Sequence, residues 1–385
     1  MKMQSLQHLS VDVAIIGGGI MGCSAALALR KSGLTVALVD KGMCGAQASG
    51  VNAGGVRQQG RALSELPMAR RAARLWPRLH EIVGDDVEFR QVGHLRLARS
   101  EADVQMLEDY AAAARDYGLE LELISGKDTR ARFPWASAKI AGSSLAVEDG
   151  HANPRLVAPA FARAAKAHGA EVREFTRIEH AHWTGSHFEI AARELSIKSR
   201  YLVNTAGAWS AHFLSLFNES APLTLRTPNL FVTEPVAYFL TKSIAVCGGA
   251  VYFRQVERGN VVIGGGPGWG DLATERSRNR ADTTLGQFAR VTELVPELNG
   301  IQIIRSWSGL EGDLPDNIPV IGMSQTTPNL IHAFGFCGHG FQLGPAVGEI
   351  IDELVRDGQS QTPIDAFSIS RFAAVAKNPQ PAKVA

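Results

Sequence analysis

The sequence predicts an α/β protein: a Rossmann-like domain that holds a dinucleotide, interrupted by a second domain of mostly antiparallel strands covered by helices. Three observations predict it. A strand–glycine–helix–strand–acid unit occupies residues 11–40. An α/β rhythm returns at "EDGHANPRLVAPAFARAAKAHGAEV" and again at "NLIHAFGFCGHGFQLG". Between those returns, residues 222–308 are rich in strand formers, as in "GAVYFRQVERGNVVIGGG".

Taken in order, residues 11–16 are an apolar, β-branched run that suits a buried strand. Gly17, Gly19 and Gly22 then fit G-x-G-x-x-G. The first glycine allows the tight turn, the second lets a pyrophosphate approach the backbone, and the third lets the helix pack closely on the strand. Residues 20–31 read as that helix, stopped by Gly33, and residues 35–39 as a second strand ending at Asp40. A carboxylate there accepts hydrogen bonds from ribose hydroxyls and repels a 2′-phosphate, so NADP is disfavoured. A signal peptide or membrane span is the competing reading of this start. The glycine triplet, Asp12, Arg30 and Lys31 argue against it, and no small-residue cleavage site follows.

A long Gly/Ala/Ser/Asn loop follows at residues 41–61, a length that in compact domains usually signals function. One helix is expected over 66–82, a strand pair or bent strand in "FRQVGHLRLAR", and an amphipathic helix over 101–117 stopped by Gly118. Pro154 opens a helix that Gly169 ends. Alternation in "HFEIAARELSIKSRYLVNTAG" predicts a hairpin feeding a buried strand at 201–205. A helix is expected near 283–295 and a strand at "NLIHAF". Pro345 suits the first turn of a last helix, which turns Val347, Ile350, Ile351, Leu354 and Val355 to the core. "KNPQPAKVA" reads as a loose tail. The expected division is residues 1–84, 145–221 and 319–370 for the nucleotide domain, 85–144 and 222–318 for the substrate domain, and 371–385 for the tail.

A chain of 385 residues, 45% hydrophobic, has enough apolar material for two sizeable cores. A net charge of +1 without a basic run gives no reason to expect a nucleic-acid partner. No segment reads as a spanning helix, so membrane association would be peripheral, through a partner at the inner membrane; the default address is cytoplasmic. Cys23, Cys44, Cys247 and Cys337 form no C-x-x-C pair, so neither a metal site nor an iron–sulfur cluster is expected. Each reads as a small buried apolar residue.

Four stretches together resemble the flavoprotein superfamily of D-amino-acid oxidase, glycine oxidase and sarcosine oxidase. They are the N-terminal fingerprint; "ASGVNAGGVR"; "LVNTAGAWS"; and "WSGLEGDLPDNIPVIG" with "GFCGHGFQLGPAVGE". They span nearly the whole chain in the family's order. The character is nearest to β-type subunits of sarcosine oxidase, of D-proline or hydroxyproline dehydrogenase, and of opine oxidase. The resemblance implies a glutathione-reductase-type domain and an extended FAD. Its pyrophosphate would rest on Gly17, Gly19, Ile20 and Met21, and its adenosine ribose on Asp40, with Lys41 alongside. Ile178 would lie by the adenine, and Thr205, Ala206 and Gly207 along the pyrophosphate and ribityl chain. Ser49, Gly50, Asn52 and Gly54 would border the flavin. Gly338, His339, Gly340, Phe341 and Gln342 would lie near its pyrimidine end. Reduction puts negative charge on that edge, which backbone N–H groups and the positive end of the Pro345 helix suit.

The family's chemistry is hydride transfer from the carbon next to an amine nitrogen to flavin N5, giving an imine. Amino-acid substrates need a carboxylate clamp, best met by a bidentate arginine. Arg57 and Arg254 are the candidates, with surface or structural duty as the alternative for each. Tyr252 closes the pocket or packs in the core. His339 faces flavin or substrate, or its loop acts through backbone alone. His94 and His151 are weaker candidates. Two departures from the family stand out: Glu311 lies where D-amino-acid and glycine oxidases carry an arginine, and Gly309 lies where monomeric sarcosine oxidases attach flavin through cysteine, so FAD is expected to be non-covalent. Val262 replaces a lysine that helps oxygen react, which leans toward a dehydrogenase with another electron acceptor and partner subunits. A 2-hydroxy acid dehydrogenase on the same scaffold, a flavin-bearing subunit of a multi-subunit complex, a non-enzymatic structural subunit of a larger assembly, and an NAD-only dehydrogenase remain alternatives.

Overall fold

Valine and isoleucine fill the inner end of the first strand, Gln7–Ile16, where Val13 and Ile15 are fully buried. A segment buried on both faces suits a helix-covered sheet with parallel neighbours on either side. It has them in Leu195–Asn204 and Val36–Val39. In the computed structural model, which describes residues 6–249 and 251–373, the chain forms two compact units. The first takes residues 6–49, 157–225 and 311–373, and the second 50–156 and 226–310, Ala250 apart.

The first unit is built on an eight-stranded sheet. Its main order runs Val320–Met323, Leu330–Phe334, Leu195–Asn204, Gln7–Ile16, Val36–Val39, Glu171–Arg173. All of these pair in parallel except the edge strand Val320–Met323. The hairpin expected before residue 201 is present, but it does not end there. Leu195–Asn204 is one ten-residue strand. Its outer half pairs antiparallel with Phe188–Ala192 and its inner half parallel with Leu330–Phe334. Helix Ile20–Lys31 follows the glycine turn, and the last helix, Gly340–Asp357, packs against it. Val347, Ile350, Ile351, Leu354 and Val355 are buried, as their spacing predicts. The last helix begins at Gly340, however, so Pro345 stands sixth rather than in the first turn. A proline there forfeits one bond to a carbonyl four residues back, a cost this well-buried helix tolerates. Arg371 and Phe372, assigned by sequence to the tail, are packed: Arg371 bonds Asp316 and the Ile318 carbonyl, and Phe372 is buried. "KNPQPAKVA" lies outside the described residues.

The second unit carries its own eight-stranded sheet. The order is Ile303–Ser308, Pro228–Pro235, Asn260–Pro267, Tyr252–Gln255, Ser243–Val246, His94–Ala98, Gly142–Ala146, Glu122–Ser125. Only Ser243–Val246 and His94–Ala98 run parallel. Alternation divides the sheet into two faces. Leu95, Leu97, Phe231, Phe253 and Ile263 join Val291 and Leu294 of helix Ala281–Leu294 in the core. Burying each such side chain contributes roughly 1.5–3 kcal/mol. The opposite face presents His94, Arg96, Tyr252, Arg254 and Val262. Two local expectations need correction. Pro77 splits the helix expected over 66–82 into Leu66–Leu75, a 3₁₀ turn Trp76–Arg78, and Leu79–Val83. "FRQVGHLRLAR" contributes one strand, because Gly93 turns the chain at φ +84° and only a single bridge at Arg90 precedes it.

Candidate functional site

The glycine turn of the first unit, the candidate dinucleotide turn, is closely packed. Gly17 has φ +109°, and a Cβ on it would strike the Thr205 carbonyl oxygen. A Cβ on Gly22 would strike the Gly17 carbonyl oxygen and come 2.7 Å from Thr205 Oγ1. Thr205 Oγ1 donates to the carbonyls of Ile16 at 3.0 Å and Gly17 at 2.8 Å, pinning its strand to the turn. Helix Ile20–Lys31 has Gly19 as an N-cap without a side-chain cap, no acidic residue in its first turn, and Arg30 and Lys31 in its last. Its positive end is therefore left to an anion. Ser49 Oγ accepts from the Ile20 N–H at 2.9 Å. Asp40, past the end of Val36–Val39, accepts from the N–H of Gly18 at 2.5 Å and of Gly42 at 2.7 Å. A carboxylate has about four acceptor positions, so capacity for ribose hydroxyls remains.

Around this turn stand the other residues expected in the nucleotide unit. Ile178 is buried at the start of Ile178–Trp183. The Ala206 N–H donates to Asn204 Oδ1 at 3.2 Å, and Gly207 turns at φ +57° into the short turn Gly207–Trp209. Lys41 Nζ stands 3.3 Å from the centroid of the Trp209 ring, a cation–π contact. Met21 is buried, and its Cε lies 2.9 Å from the place a Cβ on Gly340 would take. The first and last helices thus meet.

The C-terminal glycine loop is held by contacts the sequence did not announce. Gly335, Cys337 and Gly338 all have positive φ, at +71°, +51° and +79°. Cys337 Sγ accepts from the Leu314 N–H at 3.2 Å, and Glu311 Oε1 accepts from the Gly338 N–H at 2.7 Å. Glu311 therefore organises this loop. His339 caps the last helix, half-buried, with its N–H on the Phe336 carbonyl; Phe341 and Gln342 are buried in the first turn. Ser24 Oγ donates to the Gly344 carbonyl at 2.8 Å, and Gly348 backs onto Ser24. Gly340, Gly344 and Gly348 recur every four residues. That stripe was visible in the sequence and marks where the first helix lies. All four cysteines are buried, and none is in a disulfide.

The second unit gathers Gly50, Asn52, Gly54, Arg57, Tyr252 and Arg254. Asn52 Oδ1 accepts from the Gly54 N–H at 2.7 Å, and Gly54 turns at φ +79°. Arg254 grips this turn: Nε donates to the Ala53 carbonyl at 2.6 Å, Nη2 to that of Ala152 at 3.4 Å, and Nη1 to His151 Nδ1 at 3.3 Å. Burial pulls Arg254 down to about 10, still a cation at neutral pH. Burial, with Arg254 and Arg90 nearby, pulls His151 down to about 3, so it is neutral. His94 is likewise held far below its ordinary value by burial and by Arg57, Arg96 and Arg61. Its Nδ1 receives Gln59 Nε2 at 2.9 Å. Neither histidine is poised to exchange protons near neutrality.

Arg57 Nη1 donates to the Gln59 carbonyl at 2.7 Å. Burial, then Arg61 and Arg96, lowers it to about 10. No carboxylate of a described residue forms an ion pair with it. Tyr252 lies across Gly264, where a Cβ would collide with its ring and come 2.6 Å from its hydroxyl oxygen. Ala245 pairs with both Tyr252 and Arg96, which puts those two on one face. Arg96 was not singled out from sequence, because only this register reveals it. Val262 pairs with Arg254. A Cβ on Gly309 would collide with Val51, leaving no room for a cysteine there. Among the described residues, no helix is long and apolar enough to cross a membrane.

Comparison with known proteins agrees with this geometry. The family model described as FAD dependent oxidoreductase (DAO) matches residues 12–354. The chain is 27% identical to a subunit of the opine oxidase of Rhizobium meliloti, covering 94% of this chain and 98% of that one. It is 26% identical to the glycine oxidase of Bacillus subtilis, covering 94% and 98%. The solved structure of L-proline dehydrogenase from P. horikoshii superposes with a TM-score of 0.89 at 24% identity, over 96% and 99% of the two chains.

Proposed function

Because the chain belongs to the DAO family of FAD-dependent oxidoreductases, we propose that it oxidises the C–N bond of a small amine or amino acid, by hydride transfer to flavin N5, and leaves an imine. The favoured substrates are secondary amines such as proline, hydroxyproline, sarcosine or an opine. FAD, when bound, supplies the two-electron acceptor that makes this possible. The protein's part is to hold, orient and exclude water. In the first unit, Gly17, Gly19 and the first turn of Ile20–Lys31 would carry the pyrophosphate, and Asp40 the ribose. FAD would be bound without a covalent link, consistent with the crowded Gly309.

The opine oxidase and glycine oxidase relatives support the amine, and the observation that supports the substrate's carboxylate is Arg57. A half-buried guanidinium without an ion-pair partner is costly unless something anionic completes it. It keeps donors to spare, so it would clamp the substrate carboxylate. Arg254 would act differently. Three of its donors already hold the 52–54 turn and His151, so it is a positioning residue for that turn. Tyr252, fixed over Gly264, would wall the pocket. Two opine oxidase relatives are named as subunits, which supports partner subunits, and the uncharged Val262 supports a dehydrogenase passing electrons to an acceptor other than oxygen. An anaerobic screen tests the reading: secondary amines with one carboxylate should bleach bound FAD, and the matching 2-hydroxy acids should not. Bleaching by hydroxy acids alone would replace it with the hydroxy-acid reading.

A further inference from the structure

The polar face of the second unit's sheet holds more positive charge than one carboxylate requires. Three guanidinium groups gather by Gly60. The place a Cβ on Gly60 would take lies 2.6 Å from Arg96 Nη1 and 3.5 Å from Arg57 Nη1, so those two nitrogens are no more than about 6 Å apart. Arg61 Nε donates to the Arg57 carbonyl at 3.1 Å. Against these three cations, and Arg254 on the same sheet face, stand two buried carboxyls, an excess of two positive charges. Glu65 is 3.9 Å from Arg61 Nη1. Asp149 spends its oxygens on the Gln58 N–H, Gln58 Nε2 and the Gln59 N–H. Glu148 pairs with Arg70 instead. His94, beside the cluster, is neutral.

The shortfall is visible atom by atom. Arg61 is 4% exposed, and its Nη1 is buried without a hydrogen-bond partner. Arg57 has no ion-pair partner among the described residues. The Arg96 guanidinium has neither an ion-pair nor a hydrogen-bond partner among them, although the residue is half-buried. Its strand neighbours Leu95 and Leu97 point into the core, and Ala245 ties it in register to Tyr252. It is therefore fixed on the face that carries Tyr252 and Arg254, with Arg57 near it at Gly60. Buried cations in excess persist when a ligand of opposite charge completes them.

The reading above asks Arg57 to hold one carboxylate. We propose that Arg96 holds a second, so that the substrate is a small secondary amine with a carboxylate on each side of its nitrogen. This rests on the amine-oxidation reading and narrows it. In such an iminodicarboxylate the carboxyl carbons are about 5 Å apart when extended, by standard bond lengths. That span suits two guanidinium forks set as closely as these. A bidentate arginine–carboxylate pair also fixes orientation, so the second clamp would choose which carbon–hydrogen bond is presented.

Two pairs of compounds differing by one carboxylate test this. Iminodiacetate is sarcosine with a carboxylate added to its methyl group. Glutarate and butyrate are their unreactive carbon counterparts. With FAD-loaded protein, glutarate should bind at least tenfold more tightly than butyrate by calorimetry, and kcat/KM should favour iminodiacetate over sarcosine by a similar factor. Arg96→Gln should bring both ratios close to one, and Arg96→Lys should restore part of them. Equal binding of glutarate and butyrate to the unsubstituted protein would overturn the proposal without any variant. So would an Arg96→Gln loss equal for both members of a pair, which would mean that Arg96 serves one shared carboxylate or the fold. If no amine bleaches the flavin while glutarate keeps its advantage, the amine reading fails and the paired-carboxylate site stands.

Discussion

The place a Cβ on Gly344 would take lies 2.6 Å from Cγ1 of Ile20, the first residue of the helix behind the N-terminal glycine turn. The last helix can thus approach the first only because it is bare at that point. Gly344→Ala should force one helix to shift, and overpacking of this kind costs roughly 1–3 kcal/mol. The expected result is a lower Tm and weaker FAD binding in fluorescence titration. Gly286→Ala is the control. Gly286 is exposed within helix Ala281–Leu294, with nothing within 4 Å of a new Cβ. It should be neutral or gain up to about 1 kcal/mol. Equal behaviour of the two variants would show that the contact at Ile20 does not matter.

Asp40 should govern how tightly the nucleotide is held. Its carboxylate fixes the Gly18 and Gly42 N–H groups and is the ribose acceptor in the proposed site. Asp40→Asn exchanges a charged acceptor for a neutral one. Hydrogen bonds to charged groups contribute about 1.5–3 kcal/mol, so the FAD Kd should rise roughly ten- to hundredfold. An unchanged Kd would remove Asp40 from the cofactor site.

Two buried groups of the second unit should pull acid stability in opposite directions. Burial raises the Asp149 carboxyl to about 6, countered in part by its bonds from Gln58 and Gln59. The folded state then holds more protons than the unfolded state between about pH 4 and 6, so this group's contribution falls as pH rises through that window. His151 is lowered to about 3, so there the unfolded state binds more protons from about pH 3 to 6.5, and stability rises with pH. Asp149→Asn should therefore make unfolding on acidification steeper than in the unsubstituted protein, and His151→Gln should make it shallower. Each effect is on the order of a few kcal/mol across its window. Urea unfolding at pH 4.5 and pH 7 reads both slopes. Parallel curves for all three proteins would mean that neither group is buried as described.

The dinucleotide turn was legible in the sequence because its requirements are local. A positive φ at Gly17 and a missing Cβ at Gly22 follow from neighbours a few residues away and from one strand end at Thr205. Asp40 was legible for the same reason. Arg254 was legible as a candidate carboxylate clamp, but the hydrogen bonds it makes were not, since its partners Ala53, His151 and Ala152 are far away in sequence. Arg96 stayed hidden because its strand alternates like any core strand, and only pairing through Ala245 sets it beside Tyr252. Glu311 looked like a missing arginine, and the loop bond it makes to Gly338 depends on tertiary folding. Pro345 misled for a simpler reason: a preference for the first turn does not forbid the second.

Val262 should decide how readily reduced flavin meets oxygen. It stands beside Arg254 on the polar face as an uncharged side chain. Val262→Lys should raise the rate of flavin reoxidation by oxygen at least tenfold after anaerobic reduction, followed by stopped-flow absorbance. Rapid reoxidation of the unsubstituted protein, at a rate the variant does not change, would identify an oxidase already and remove Val262 from the argument.

The central claim is that this FAD-dependent chain takes hydride from carbon next to an amine nitrogen. Its most direct test is the visible spectrum of the FAD-loaded protein, free of oxygen, mixed in turn with secondary amino acids and their hydroxy-acid counterparts. The account predicts loss of flavin absorbance with the amines, and an Arg57→Ala protein that needs at least a hundredfold more substrate for the same rate. A flavin that stays oxidised with every amine but bleaches with a hydroxy acid would contradict it.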